Sequence, residues 1–209
     1  MSLQLKIALV GALGGFTVLG ALGCAGGGGA GGEGSGRAAA PEVKPVKKEA
    51  FAKGPVHGHM VQTIDGQQVS LDEFRGRTLL IVNVASACGM TPQYEQLEAL
   101  YRSRRTEGLV VLGFPSNDFN GQEPLDNEGI QAFCSDYYDV TFPLFAKGPV
   151  IGERRSPLFA ELSRATAPPS WNFTKYLVDP NGRVVARFDP RTSPLAPEVV
   201  EKIDELLGS

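Results

Sequence analysis

The sequence predicts an α/β domain: a central mixed β-sheet flanked by helices, with an extra β-hairpin at its N-terminal end. Three patterns carry that expectation. Thr78–Ala85 and Leu109–Gly113 are almost wholly apolar and rich in β-branched residues, as strands covered on both faces are. Tyr94, Leu97, Leu100 and Tyr101 recur between them at helical spacing, so the two strands form a parallel pair joined by a right-handed helical crossover. Later, Asp179-Pro180-Asn181-Gly182 stands between two further strand-like runs, a strong signal for an antiparallel hairpin.

The remaining elements follow in order. Two short strands fit Met60–Ile64 and Gln68–Leu71, turned at Asp65-Gly66. Thr91-Pro92 opens the crossover helix, which runs to about Arg105; Thr is a capping residue and Pro suits the first helical position. Helices are expected around Asn127–Tyr138 and Ser156–Ala165. Strands are expected at Asn172–Val178 and Arg183–Phe188, and Ala196–Leu207 closes the chain as an amphipathic helix. A βαβ half followed by a ββα half is the thioredoxin-like arrangement.

This domain is expected to occupy residues 51–209. Of the 26 glycines in the 209-residue chain, 13 lie before residue 51, so the first quarter cannot share its fold. Lys6 is the only charge before Glu33, and residues 7–23 are apolar or small throughout. A positive start and an apolar run ending in small residues read as a signal peptide over 1–23. Cys24 follows Ala21-Leu22-Gly23, which resembles the lipobox of bacterial lipoproteins; the resemblance implies that Cys24 is lipidated after cleavage. Residues 24–50 are rich in Gly, Ala and Pro, and lack the large apolar side chains needed to offset the entropy of ordering. They read as a tether. The expectation is an exported domain held at a bacterial membrane, on the periplasmic or cell-surface side, through its N-terminal lipid.

Charge and composition narrow the function. With 20 Lys and Arg against 23 Asp and Glu the net charge is −3, which disfavours nucleic-acid binding. Three cysteines are too few for a disulfide framework or a four-cysteine zinc site. The two histidines, His57 and His59, fall before the first strand and read as loop residues. Neither a metal nor another cofactor is expected.

Cys88 carries the chemistry. In Asn83-Val84-Ala85-Ser86-Ala87-Cys88-Gly89-Met90-Thr91-Pro92 it stands between a strand end and a helix start. Unsatisfied backbone N–H groups and the positive end of a helix dipole meet there, and both favour a thiolate. A buried Cys acting as a small hydrophobe is the alternative. There is no C-x-x-C, which argues against an ordinary dithiol oxidoreductase, and no well-placed His to serve as the base of a cysteine hydrolase. A thiolate that works without a base suits a substrate with an easily departing group, such as a peroxide.

The segments NVASACGMTPQYEQLEALY, LGFPSNDFNGQEP, VTFPLF and WNFTKYLVD, in this order and spacing, resemble the glutathione peroxidase family over most of residues 59–190. The resemblance implies a peroxidatic Cys88 acting with Gln122, Trp171 and Asn172. Gln122 and Asn172 offer amide donors and Trp171 an indole N–H, groups that can stabilise an anionic sulfur and orient the departing oxygen. It also implies a cycle through a sulfenic acid, reduction of hydrogen peroxide and of organic or lipid hydroperoxides, and re-reduction by a thioredoxin-like protein or a small thiol. Cys134 is the candidate resolving thiol, although thioredoxin-dependent relatives carry theirs one residue later, at Ser135. Tetrameric members of that family carry an extra loop before the Trp-Asn motif, so by the same resemblance the short stretch from Ala165 to Trp171 implies a monomer. A peroxide-sensing relay that passes its disulfide to a partner protein is the alternative reading of the same site.

Overall fold

The computed structural model describes residues 45–208. The proposed signal segment, Cys24 and most of the tether lie outside them. The described chain opens with a turn of 3-10 helix at Lys48–Ala50, and a second such turn, Val56–Gly58, leads into the domain.

Strands β1 (Met60–Gln62) and β2 (Gln68–Ser70) form the N-terminal antiparallel hairpin. The central sheet is β3 (Thr78–Val84), β4 (Leu109–Pro115), β5 (Lys175–Val178) and β6 (Val184–Phe188), in the order β4-β3-β5-β6. Strands β3 and β4 are parallel, whereas β5 runs antiparallel to both β3 and β6. Among the described residues four α-helices pack around the sheet: α1 (Gln93–Arg104), α2 (Asn127–Tyr138), α3 (Pro157–Ala165) and α4 (Pro197–Leu207). This is the mixed thioredoxin-like sheet expected from the sequence.

Every residue of β3 is buried, because both faces of the sheet are covered. Leu80, Val82 and Val84 meet Leu97 and Leu100 of α1, Ile130 of α2, and Val199 and Ile203 of α4. Leu79 and Ile81 point the other way, to Leu158, Phe159 and Leu162 of α3. The alternation is the two-residue period of a strand, and each buried aliphatic side chain contributes about 1.5–3 kcal/mol. At the β4 edge a Cβ on Gly113 would lie 2.8 Å from Leu144 Cδ2, so a larger residue there would have to displace the Leu144 side chain from this strand.

Two local expectations change. The strand expected at Asn172–Val178 begins only at Lys175, because Phe173 adopts a left-handed backbone (φ 66°) that no strand accommodates. Thr91 does not cap α1. Its hydroxyl is turned back into the preceding loop, and the N-cap position is Pro92, which has no side-chain cap.

Candidate active site

Cys88 lies in the loop between β3 and α1, with 8% of its surface exposed. Thr91 organises this loop: its hydroxyl accepts from Cys88 N (3.0 Å) and donates to Ala85 O (2.9 Å), while Thr91 N donates to Cys88 O (3.0 Å). The result is a tight turn that aims the backbone N–H of Met90 at Cys88 Sγ, 3.4 Å away. An amide donor bonds an anionic sulfur more strongly than a neutral thiol.

Gln122 reaches the same loop from the segment after β4. Two consecutive left-handed residues, Asn120 (φ 53°) and Gly121 (φ 65°), turn the chain there. The Gln122 carbonyl then accepts from the backbone N–H of Ala87, the residue before Cys88 (2.9 Å). Its side chain meets Asn172, whose Nδ2 donates to Gln122 Oε1 (2.9 Å). One N–H of the Asn172 amide is thus used on Gln122, and its second N–H and the Gln122 Nε2 group are the amide donors the pair can present elsewhere.

The Trp171-Asn172-Phe173 turn is pinned to the end of β3. Asn83 Nδ2 donates to Trp171 O (3.1 Å), and Asn83 O accepts from Phe173 N (2.6 Å). These bonds hold the left-handed Phe173, whose ring is fully buried. The Trp171 ring is half-buried, tilted against Phe119 at a centroid distance of 5.4 Å. With Met90, Ser170, Asp189, Pro190 and Arg191 it lines a cavity of about 550 Å³. The structure thus joins Gln122 and Asn172 side chain to side chain, fastens Gln122 beside Cys88, and places Trp171 on the cavity that begins at Met90.

Sequence reasoning passed over Glu123. Its carboxylate is fully buried and accepts from both Ser86 N (2.9 Å) and Ser86 Oγ (2.6 Å), two residues before Cys88. Burial pushes its pKa up, opposed by the bonds from Ser86. Ser86, Ala87 and Cys88 are therefore held from two sides, by the Gln122-Glu123 pair and by Thr91. The pairing spans 37 residues, so no local pattern could have revealed it. His57 also departs from expectation: it sits in a 3-10 turn and is fully buried.

Cys134 faces inward from α2 and is 1% exposed, in the same apolar cluster as Cys88, whereas Ser135 faces out. Both thiols are free. Burial pushes the Cys134 thiol up to about 11, with the Tyr94 hydroxyl beside it opposing the shift. Among the described residues no cluster of three or more His, Cys, Asp and Glu side chains could hold a metal ion.

A thioredoxin-like sheet with one thiol at its first strand-to-helix junction, and no second cysteine in that loop, defines a single-thiol redox domain. Comparison with known proteins places it more closely. The glutathione peroxidase family model matches residues 56–163. The glutathione peroxidase homolog BsaA of Halalkalibacterium halodurans is 45% identical over 157 residues, 73% of this chain and 99% of the relative. The thioredoxin/glutathione peroxidase BtuE of Escherichia coli is 43% identical over 169 residues, 69% of this chain and 92% of the relative. Among solved structures, T. cruzi GPX1 superposes with a TM-score of 0.59 at 31% identity, covering 75% of this chain and 98% of that one. The chain belongs to the glutathione peroxidase family.

Proposed function

We propose that the protein is a thiol peroxidase that reduces hydrogen peroxide and organic hydroperoxides, lipid hydroperoxides included, with Cys88 as the peroxidatic residue. One observation carries the reading: Cys88 Sγ accepts an amide N–H from its own loop, and that loop is fastened to the Gln122–Asn172 amide pair. The thiolate attacks the terminal peroxide oxygen. The S–O bond forms as the O–O bond breaks, and the released alkoxide or hydroxide takes a proton to leave as alcohol or water. Sulfur is oxidised to the sulfenic acid and the peroxide is reduced by two electrons. Gln122 Nε2 and the Trp171 indole N–H are the donors assigned to the sulfur and the departing oxygen.

A second thiol condenses with the sulfenic acid, releasing water and forming a disulfide. Cys134 is the internal candidate, and a thioredoxin-like protein is the proposed reductant, as the name of the Escherichia coli relative suggests for that protein. The domain acts as a monomer at the membrane, exported and tethered by a lipid on Cys24; the lipobox-like segment before Cys24 supports this. A Cys24→Ala variant then loses acyl labelling and leaves the membrane fraction. The deciding experiment follows hydroperoxide consumption with thioredoxin, thioredoxin reductase and NADPH. Wild-type protein turns over repeatedly and Cys88→Ser does not; equal consumption by both overturns the assignment.

A further inference from the structure

Lys175, the first residue of β5, stands three residues after Asn172 and is wholly buried, with 0% of its surface exposed. Lysine is almost never fully buried without partners. Here the partners are backbone carbonyls: Nζ donates to Thr192 O (2.6 Å), Pro190 O (3.1 Å) and Asp189 O (3.4 Å). An ammonium has three N–H donors, and all three are used. Gln93, in the first turn of α1, adds a bond from Nε2 to the same Pro190 carbonyl (2.8 Å).

The gripped segment matters because of where it lies. Asp189, Pro190 and Arg191 line the cavity together with Met90, Ser170 and Trp171, and form the stretch of its wall contributed by the chain after β6. Within the segment itself the backbone makes a single turn bond, Thr192 N to Asp189 O (3.1 Å). Pro190 has no N–H to contribute. The backbone carbonyls of the segment are therefore held by one buried cation and one glutamine, both reaching from elements that also carry the site, while the Asp189 side chain accepts from Arg187 Nη1 (2.8 Å).

We propose that Lys175 is a positioning residue that fixes the Asp189–Thr192 wall of the Trp171 cavity, and through it the fit of bulky organic hydroperoxides. The proposal deepens the peroxidase reading and rests on it for the substrate. Hydrogen peroxide is too small to need the wall, whereas a large hydroperoxide must pack against it. The grip also responds to protons. In the sheet register Lys175 lies beside Val82 and Phe188, both apolar, and α1 offers the neutral Gln93. Burial dominates and pushes the pKa of Lys175 down to about 7, opposed by Asp189, the charged side chain acting on it, which is itself paired with Arg187 of β6 (2.8 Å). A neutral amine has only two N–H donors, so one carbonyl loses its partner as pH rises through that value.

The test uses the full chain as wild type, Lys175→Met and Asp189→Asn. Trp171 is the only tryptophan, so acrylamide quenching of its fluorescence reads the cavity directly and needs no activity. Wild type is expected to become more quenchable as pH rises through about 7, Lys175→Met to be highly quenchable at every pH, and Asp189→Asn to shift the transition to lower pH. In steady state below the transition, Lys175→Met should raise KM for cumene hydroperoxide about fivefold or more, the worth of one net hydrogen bond, with kcat and hydrogen peroxide turnover little changed. Quenching that ignores both pH and Lys175→Met overturns the proposal, as does an equal loss toward both peroxides. Should Lys175→Met fail to fold, the wild-type and Asp189→Asn titrations decide it. Should wild type consume no hydroperoxide, the peroxidase reading fails, while the quenching still judges the grip.

Discussion

If Cys134 resolves the Cys88 sulfenic acid, α2 must open first, and an Ala132→Gly substitution should make that opening measurable. In the folded helix Cys134 is 1% exposed and its thiol is held near 11. Compared with the ordinary value of 9.0, a pKa near 11 lowers the thiolate fraction at neutral pH about 100-fold. Greater intrinsic nucleophilicity returns only about eightfold of this at a Brønsted slope of about 0.45. The thiol in place is thus about tenfold slow before access is counted, and buried side chains have almost no access. Ala132 is exposed in the middle of α2. Glycine at an exposed helix interior costs about 0.8–1.0 kcal/mol, which raises the opened population about four- to fivefold. The assay adds one equivalent of hydrogen peroxide, quenches with dimedone and iodoacetamide at intervals, and reads intact mass. Wild type should hold a trappable sulfenic acid that decays slowly to a Cys88–Cys134 disulfide. Ala132→Gly should form that disulfide about four- to fivefold faster with unchanged Cys88 oxidation. A disulfide that appears as fast as the sulfenic acid in both proteins refutes the gating argument. No disulfide in either, even in mild urea, leaves Cys134 a core residue and the external thiol as the resolver.

Three other outcomes follow from the geometry. Because Asn172 Nδ2 engages Gln122 Oε1, the losses in kcat/KM from Gln122→Ala and Asn172→Leu should be strongly non-additive in the double variant; full additivity shows that the two amides act separately. Glu123→Ala strips the acceptor from two Ser86 donors and should cost about 2–4 kcal/mol in urea unfolding, whereas Glu123→Gln, which offers one acceptor and one donor, should cost less than about 1.5 kcal/mol. His57 is fully buried, and desolvation lowers its pKa from 6.5 despite Asp72; His59 is lowered for the same reason. The unfolded chain then takes up protons that the native state refuses, so stability is retained above about 6.5 and lost as pH falls from there toward the folded-state values. Urea midpoints measured at about pH 7.5 and about pH 5.5 should show the fall, and His57→Leu should reduce it; a flat profile between these pH values removes the desolvated histidines from the account.

What the sequence disclosed and what it concealed divide by range. The buried strands, the crossover helix and the Asp179–Gly182 turn were visible because their signals are local: a run of β-branched residues, a helical period, a turn tetrad. Cys88 was visible because its position at a strand–helix junction is itself a physical argument. Thr91 was misplaced because a threonine before a proline looks the same whether it caps the helix or folds back to Ala85 and Cys88. Glu123 and Lys175 were not visible at all. Their partners lie 37 residues away at Ser86, and 14 to 17 residues away across β6 at Asp189, Pro190 and Thr192.

Buried polar and charged groups mark the places where long-range order was required. The sulfur proposed as peroxidatic can be placed by one turn, but the donors proposed for it come from separate stretches of chain, and each stretch must be fixed to the loop around Cys88. Asn83 ties the Trp171 turn to β3, and Glu123 ties the Gln122 segment to Ser86. Lys175 ties the cavity wall to β5. Each tie uses a polar group that an apolar residue of similar size could not replace without orphaning backbone or hydroxyl partners. An orphaned buried donor costs about 1–3 kcal/mol, comparable with the burial of a core aliphatic side chain, so these ties constrain the fold as firmly as its core does. The polar residues nine-tenths buried or more around this site are therefore the ones whose replacement should separate binding from chemistry. Changes at Lys175 should act on KM for large substrates, and changes at Glu123 should act on stability first, because one holds a wall and the other holds the loop that carries the sulfur.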